Sequence, residues 1–160
     1  MTIDIKINEN HINQLDLSPV EIVIKDLEKR QEILTLEQQI VFNIDYPQEK
    51  NDPRELSEIP EIRLWFIALD SRYPWLPFCL NWRDGELARY TAMLVPHSFN
   101  RTEGIQYNSE ALDIFIMGKT FILYTWLKQQ NLKGNSRLKA MTQIFGYDLE
   151  DSFFELLSND

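Results

Sequence analysis

The side chains able to carry chemistry in this chain are few and scattered. One cysteine, Cys79, and two histidines, His11 and His97, lack the close spacing that a zinc or iron–sulfur site requires, so no metal is expected. The glycines, at 85, 104, 118, 134 and 146, stand alone, so no phosphate-cradling loop and no nucleotide cofactor is expected. His97 has the chemistry of a general base, with Glu103 or Glu58 to orient it and Ser98 alongside as a nucleophile. Chain neighbours rarely face each other productively, however, and a histidine following the helix-ending Pro96 can instead bond to backbone in a turn. Glu55, Glu58 and Glu61 recur every three residues, a spacing suited to acid–base work on one helical side. Pro60 breaks that register, which leaves helix capping as the competing role. An enzyme using Glu58, Glu61 or His97 on a small molecule is thus one hypothesis, and it requires a pocket in which they converge.

The densest chemical signal is compositional. Between Arg63 and Arg101 lie Trp65, Trp75, Trp82, Tyr73, Tyr90, Arg72, Arg83 and Arg89, so 10 of the chain's 18 Trp, Tyr and Arg residues fall in 39 positions. These types dominate interface hot spots, because they join large contact area to a polar handle. Every basic residue from Arg54 to Arg101 is arginine, the choice where a fixed bidentate bond to carboxylate or backbone is needed. One reading is a protein-binding surface between Asp52 and Glu103. Arg63, Trp75, Arg83 and Arg101 are its centre, with Arg54, Glu58, Glu61, Arg89, His97 and Glu103 around them. The other is that the aromatics fill the core while the arginines pair internally with Asp70, Asp84 and Glu86.

The elements that must position these residues follow from periodicity. Ile3, Ile5 and Ile7 alternate with polar residues and predict a strand over Thr2–Asn8; Leu36–Tyr46 predicts a second. Between them, Ser18-Pro19 with Glu21 opens a helix to about Ile33, with Val20, Val23, Ile24 and Leu27 on one face. Five of the seven prolines fall between Pro47 and Pro77 and break the middle into short pieces. Asp52-Pro53-Arg54-Glu55 has the order of a capping box for a helical turn. Pro60 opens a helix to about Ser71, and Asp84 and Glu86 another that Pro96 ends. Asn108 caps the longest helix, to about Gln130, apolar almost all round and so expected to be central, with Ile116, Ile122 and Trp126 buried. Two more follow, one with Leu138, Met141 and Phe145 inward and a last one carrying Leu149, Phe153 and Leu156. The expectation is one α+β domain over residues 1–160, with a small sheet from the N-terminal strand–helix–strand unit packed on a mainly helical body.

Bulk properties narrow the function. The net charge is −9, which repels nucleic acid and anionic lipid. The would-be recognition helix after Gly146 carries Asp148, Glu150, Asp151 and Glu155 and no basic residue, so no nucleic-acid partner is expected. Residues 1–60 hold 6 basic and 13 acidic groups, 61–147 hold 10 and 7, and 148–160 hold 0 and 5, so a mildly basic centre sits between acidic ends. Ile114–Leu127, the longest apolar run, is too short to cross a bilayer, which takes ~20 residues. A lone cysteine and the lack of a signal-like start predict a cytoplasmic setting. Oligomeric state is not legible.

At DPRELSEIPEIRLWFIALDSRYPWLPF (Asp52–Phe78) and GELARYTAMLVPHSFNRTEGIQYNSEALDIF (Gly85–Phe115), the chain resembles the chlororespiratory reduction 6 family. The likeness continues more weakly through SRLKAMTQIFGYDLEDSFFELL. It departs from the expected pattern at Cys79 and Ser109. The resemblance implies an assembly factor for the photosynthetic NAD(P)H dehydrogenase-like complex that helps subunit I, a ferredoxin-like iron–sulfur protein, enter the peripheral arm. It implies no catalytic residue. Without a transit peptide, the chain looks like a cyanobacterial member working in the cytoplasm at the thylakoid face. Cys79 alone, between Pro77-Phe78 and Leu80, offers no cluster-carrying set of thiolates, so the expected role is to hold or place a partner.

Overall fold

In the computed structural model, which describes residues 2–35 and 38–159, the first alternating segment forms β1 (Ile3–Asn8) with Ile5 and Ile7 buried. β1 runs directly into a short helix, α1 (Glu9–Asn13), because Asn8 caps it: Asn8 Oδ1 accepts from the His11 amide and His11 Nδ1 accepts from the Asn8 amide, each at 3.1 Å. Next comes α2 (Ser18–Lys29), which buries Val20, Ile24 and Leu27. Its cap is not the Ser18 hydroxyl; Asp16 Oδ1 accepts from the Ser18 amide at 3.0 Å, and that bond holds the Asp16 carboxyl below its ordinary range. α2 stops short of Ile33 because Gln31 turns left-handed at φ 58°, letting the Glu32 amide donate to Leu27 O. No glycine marks that stop in the sequence.

β2 (Ile40–Asp45) lies parallel to β1 in the register Ile3↔Ile40 to Asn8↔Asp45, a connection that requires the helical crossover supplied by α1 and α2. It is shorter than the strand expected over Leu36–Tyr46, whose Leu36 and Glu37 lie outside the described residues. On its far side Ile40 bridges Leu80, and the Asn81 amide donates to Ile40 O at 2.8 Å.

The proline-rich middle resolves into 3-10 turns at Leu56–Glu58, Leu76–Cys79 and Trp82–Asp84 around α3 (Pro60–Arg72), followed by α4 (Glu86–Leu94). The turn at Leu56 is capped by Glu55 and Glu58 and not by Asp52, whose carboxylate is taken by the Arg54 amide and guanidinium. That pairing pulls the Asp52 pKa down to about 2. After α4, β3 (His97–Asn100) and β4 (Gly104–Tyr107) form an antiparallel hairpin. Gly104, at φ 77°, closes its turn, and Asn100 Oδ1 accepts from the Thr102 amide at 2.8 Å. The core of this region is an edge-to-face aromatic group: Phe42, Trp65, Phe66 and Tyr90, with centroids 5.0–6.4 Å apart.

The chain divides into two compact units, Met1–Leu112 and Asp113–Asp160, the division falling just after the first turn of α5 (Ser109–Gln129). In α5, Ile116, Leu123 and Leu127 are buried as an amphipathic face. The expected burial of Ile116 is met, but that of Ile122 and Trp126 is corrected: Ile122 is 43% exposed and Trp126 half-buried, and Ile114 is 69% exposed. The helix is apolar beyond the face it covers. α6 (Asn135–Ile144) buries Leu138 and Met141. A Cβ on Gly134 ahead of it would lie 2.4 Å from Leu127 Cδ1, so any larger residue there would displace the Leu127 side chain. α7 (Asp151–Ser158) buries Phe154 and leaves Leu156 70% exposed, while Phe153 meets Phe121 at 5.8 Å. The architecture is α+β, with seven α-helices and two two-stranded sheets among the described residues. No described helix is long and apolar enough to cross a membrane.

Candidate protein-binding surface

The arginine–aromatic segment divides into residues that build the first unit and residues that face solvent. Trp65 and Tyr90 are core. Trp65 Nε1 donates to Asp16 O at 2.9 Å and the Tyr90 hydroxyl to Asp70 Oδ1 at 3.0 Å. Arg89 is also an internal tie. Its Nη1 donates to Phe42 O at 2.9 Å and to Glu86 Oε1 at 3.3 Å, while the buried Glu86 accepts the Phe42 amide on Oε2 at 3.1 Å. Together the two α4 side chains satisfy both backbone groups of Phe42, as a neighbouring strand would. The expected internal pairing of arginine with Glu86 is that of Arg89, while Asp70 accepts from Tyr90 and Asp84 from Asn81. Arg63 Nε reaches Met93 O at 3.2 Å, and Arg72 pairs with Glu21 at 2.7 Å.

The remainder point outward. Arg83, Arg101, Glu61 and Glu103 are exposed, Glu103 bonded to Gln106. Arg54 is exposed but held by Asp52 at 2.8 Å. Trp75 is half-buried, its ring 5.9 Å from Tyr73. Sequence periodicity missed the apolar side chains that share this exposure: Leu64 and Ile67, three apart on α3, and Phe99 on β3.

His97 bonds to neither Glu103, Glu58 nor Ser98 in the contacts that hold its ring. Nδ1 lies 2.9 Å from Val95 O and Nε2 3.0 Å from Ser57 Oγ. Because a carbonyl only accepts, Nδ1 carries the proton and the Ser57 hydroxyl donates to Nε2. The distance is that of a nucleophile and its base, but the ring is oriented by a backbone carbonyl, and the bond ties the Leu56–Glu58 turn to β3. Glu58 is occupied as a cap, accepting from the Glu55 amide at 3.2 Å. Ser57 itself lines a cavity of about 200 Å³, together with Glu55, Arg89, Met93, Phe99 and Ile105; Glu58, Glu61 and His97 do not line it. Among the described residues no cluster of His, Cys, Asp or Glu has metal-site geometry.

Tyr107 donates its hydroxyl to Ala88 O at 2.9 Å, and burial pushes its pKa up to about 12 from the ordinary 10.0. Burial and Asp70 raise Tyr90 as well. The unfolded phenols ionise first, so the stability these groups contribute is complete below pH 10 and is lost as the pH climbs towards 12. Urea melts are expected to weaken across that window, and less steeply in Tyr107→Phe; an unchanged slope in the variant would contradict the assignment.

No solved structure matches this chain. The family model described as chlororespiratory reduction 6 matches residues 7–156, covering both units and every element from the end of β1 to α7. The chain belongs to the chlororespiratory reduction 6 family.

Proposed function

We propose that this protein is a non-enzymatic assembly factor that binds the ferredoxin-like iron–sulfur subunit I and assists its entry into the peripheral arm of the photosynthetic NAD(P)H dehydrogenase-like complex. The observation that carries the reading is the family match over residues 7–156; membership supports a part in assembly of that complex. The geometry is consistent with a binder. Once Trp65, Tyr90 and Arg89 are assigned to the fold, Arg83, Arg101, Glu61, Leu64, Ile67 and Phe99 remain as exposed charged and apolar groups of the kinds interfaces use. Glu58, Glu61 and His97 do not line the cavity at Ser57, which favours a binder over the enzyme reading. Cys79 is buried in a 3-10 turn, a poor position for a cluster ligand. The protein works in the cytoplasm, at the thylakoid surface.

Arg83→Ala and Arg101→Ala are expected to melt within about 0.5 kcal/mol of wild type, as exposed substitutions do. The pair should lower affinity for subunit I by about 2 kcal/mol, measured by titration of the purified proteins. Normal binding by both would remove this surface. Covalent labelling of Ser57 by a fluorophosphonate would overturn the non-enzymatic reading.

A further inference from the structure

The outer face of α5 poses a question of its own. Ile114, Gly118, Phe121, Ile122 and Thr125 follow one another at helical spacing and all are exposed. α7 borders the face, since Phe121 meets Phe153 and Tyr124 meets Phe154, at 5.8 and 6.4 Å. Apolar groups concentrated in this way mark an interaction site more often than solvent-facing chance.

Gly118 is the second observation. It sits in the middle of a 21-residue helix, where glycine is the least favourable residue after proline. A Cβ built on it would meet nothing within 4 Å, and no left-handed φ calls for glycine there. No described residue therefore crowds this position, whereas a Cβ at Gly134 would meet Leu127. A bare backbone flanked by Ile114, Phe121 and Ile122 is the shape that admits a closely crossing helix. The border is mainly acidic: Asp113, which accepts from the Tyr147 hydroxyl, opens this stretch, Glu150 and Glu155 are exposed at α7, and Lys139, over the Phe154 ring at 5.8 Å, is already paired with Asp151. A second copy of the chain would set like charges against each other, whereas a partner with Lys or Arg beside its apolar ridge would be attracted.

We propose that this face of α5 docks an amphipathic helix of the protein being assembled, its apolar ridge crossing at Gly118 and its basic flanks meeting Asp113, Glu150 and Glu155. The proposal rests on the assembly-factor reading. It adds a contact surface in Asp113–Asp160 to the one placed between Asp52 and Glu103.

The test compares wild type, Gly118→Ala, Gly118→Leu and Ile114→Asp as bait in a photosynthetic extract, quantifying every peripheral-arm subunit by mass spectrometry. Urea melts and sedimentation are run on the same four proteins. Expected is capture of an arm subunit by wild type, reduced about 10-fold or more in Gly118→Leu and Ile114→Asp. Gly118→Ala should capture less while unfolding at equal or higher urea, because alanine favours the helix. That opposition of signs is what a purely structural glycine would not produce. Undiminished capture by Gly118→Leu overturns the docking face and leaves the assembly reading standing. If wild type captures an arm subunit other than subunit I through this face, the docking face holds and the choice of subunit I fails. Capture of no arm subunit overturns both, and a wild-type dimer that Gly118→Leu dissociates replaces the partner helix with a second copy and overturns the proposal.

Discussion

Trp65→Ala is expected to lower the unfolding free energy by about 3–5 kcal/mol, the cost of emptying a large aromatic site in a packed core. Trp65 has no exposed surface, stands edge-on to Phe42 and Phe66 at 6.4 and 5.0 Å, and donates to Asp16 O. Truncation removes the packing and leaves that carbonyl without its indole donor. The same substitution at Trp126, which is only half-buried, is expected to cost clearly less. Equal losses at the two positions in urea melts would contradict the assignment of Trp65, and not Trp126, to the packed core.

Glu86→Ala should be the next most damaging change, by about 2–4 kcal/mol, because it strips partners from groups that remain buried. The Phe42 amide loses its acceptor and Arg89 its carboxylate, both at a backbone position that β1 does not satisfy. Glu86→Gln keeps an acceptor for the amide and should fall in between. Arg89→Ala should also destabilise, through Phe42 O, which separates it from Arg83→Ala although the two arginines look alike in the sequence. In a double-mutant cycle, Glu86→Ala with Arg89→Ala should cost less than the sum of the two single changes. Strict additivity would mean that the pair does not act as one clamp.

Several features were legible before any tertiary contact was known because their causes are local. Period-two isoleucines give β1, Pro60 opens α3, and Asn108 caps α5 through its bond to the Ala111 amide at 2.9 Å. The end of α2 was not legible, since its left-handed residue is Gln31 and not glycine. Nor was the β3–β4 hairpin, whose four-residue strands contain no fully buried residue and so carry little hydrophobic alternation.

The site divides in the same way. Residue types alone implied an interface-like segment between Asp52 and Glu103, and the block Asp52–Phe78 carried the family resemblance, because composition and motif are properties of the chain itself. Whether a given arginine serves the fold or faces solvent depends on what another element brings to it. Arg89 meets Phe42 across 47 positions, His97 finds Ser57 across 40, and Arg63 reaches Met93 across 30. Apolarity likewise says that α5 can be buried but not how much of it is, since coverage depends on neighbouring elements. Only the tertiary structure decided that Ile116 is covered while Ile114, Phe121 and Ile122 around Gly118 are not.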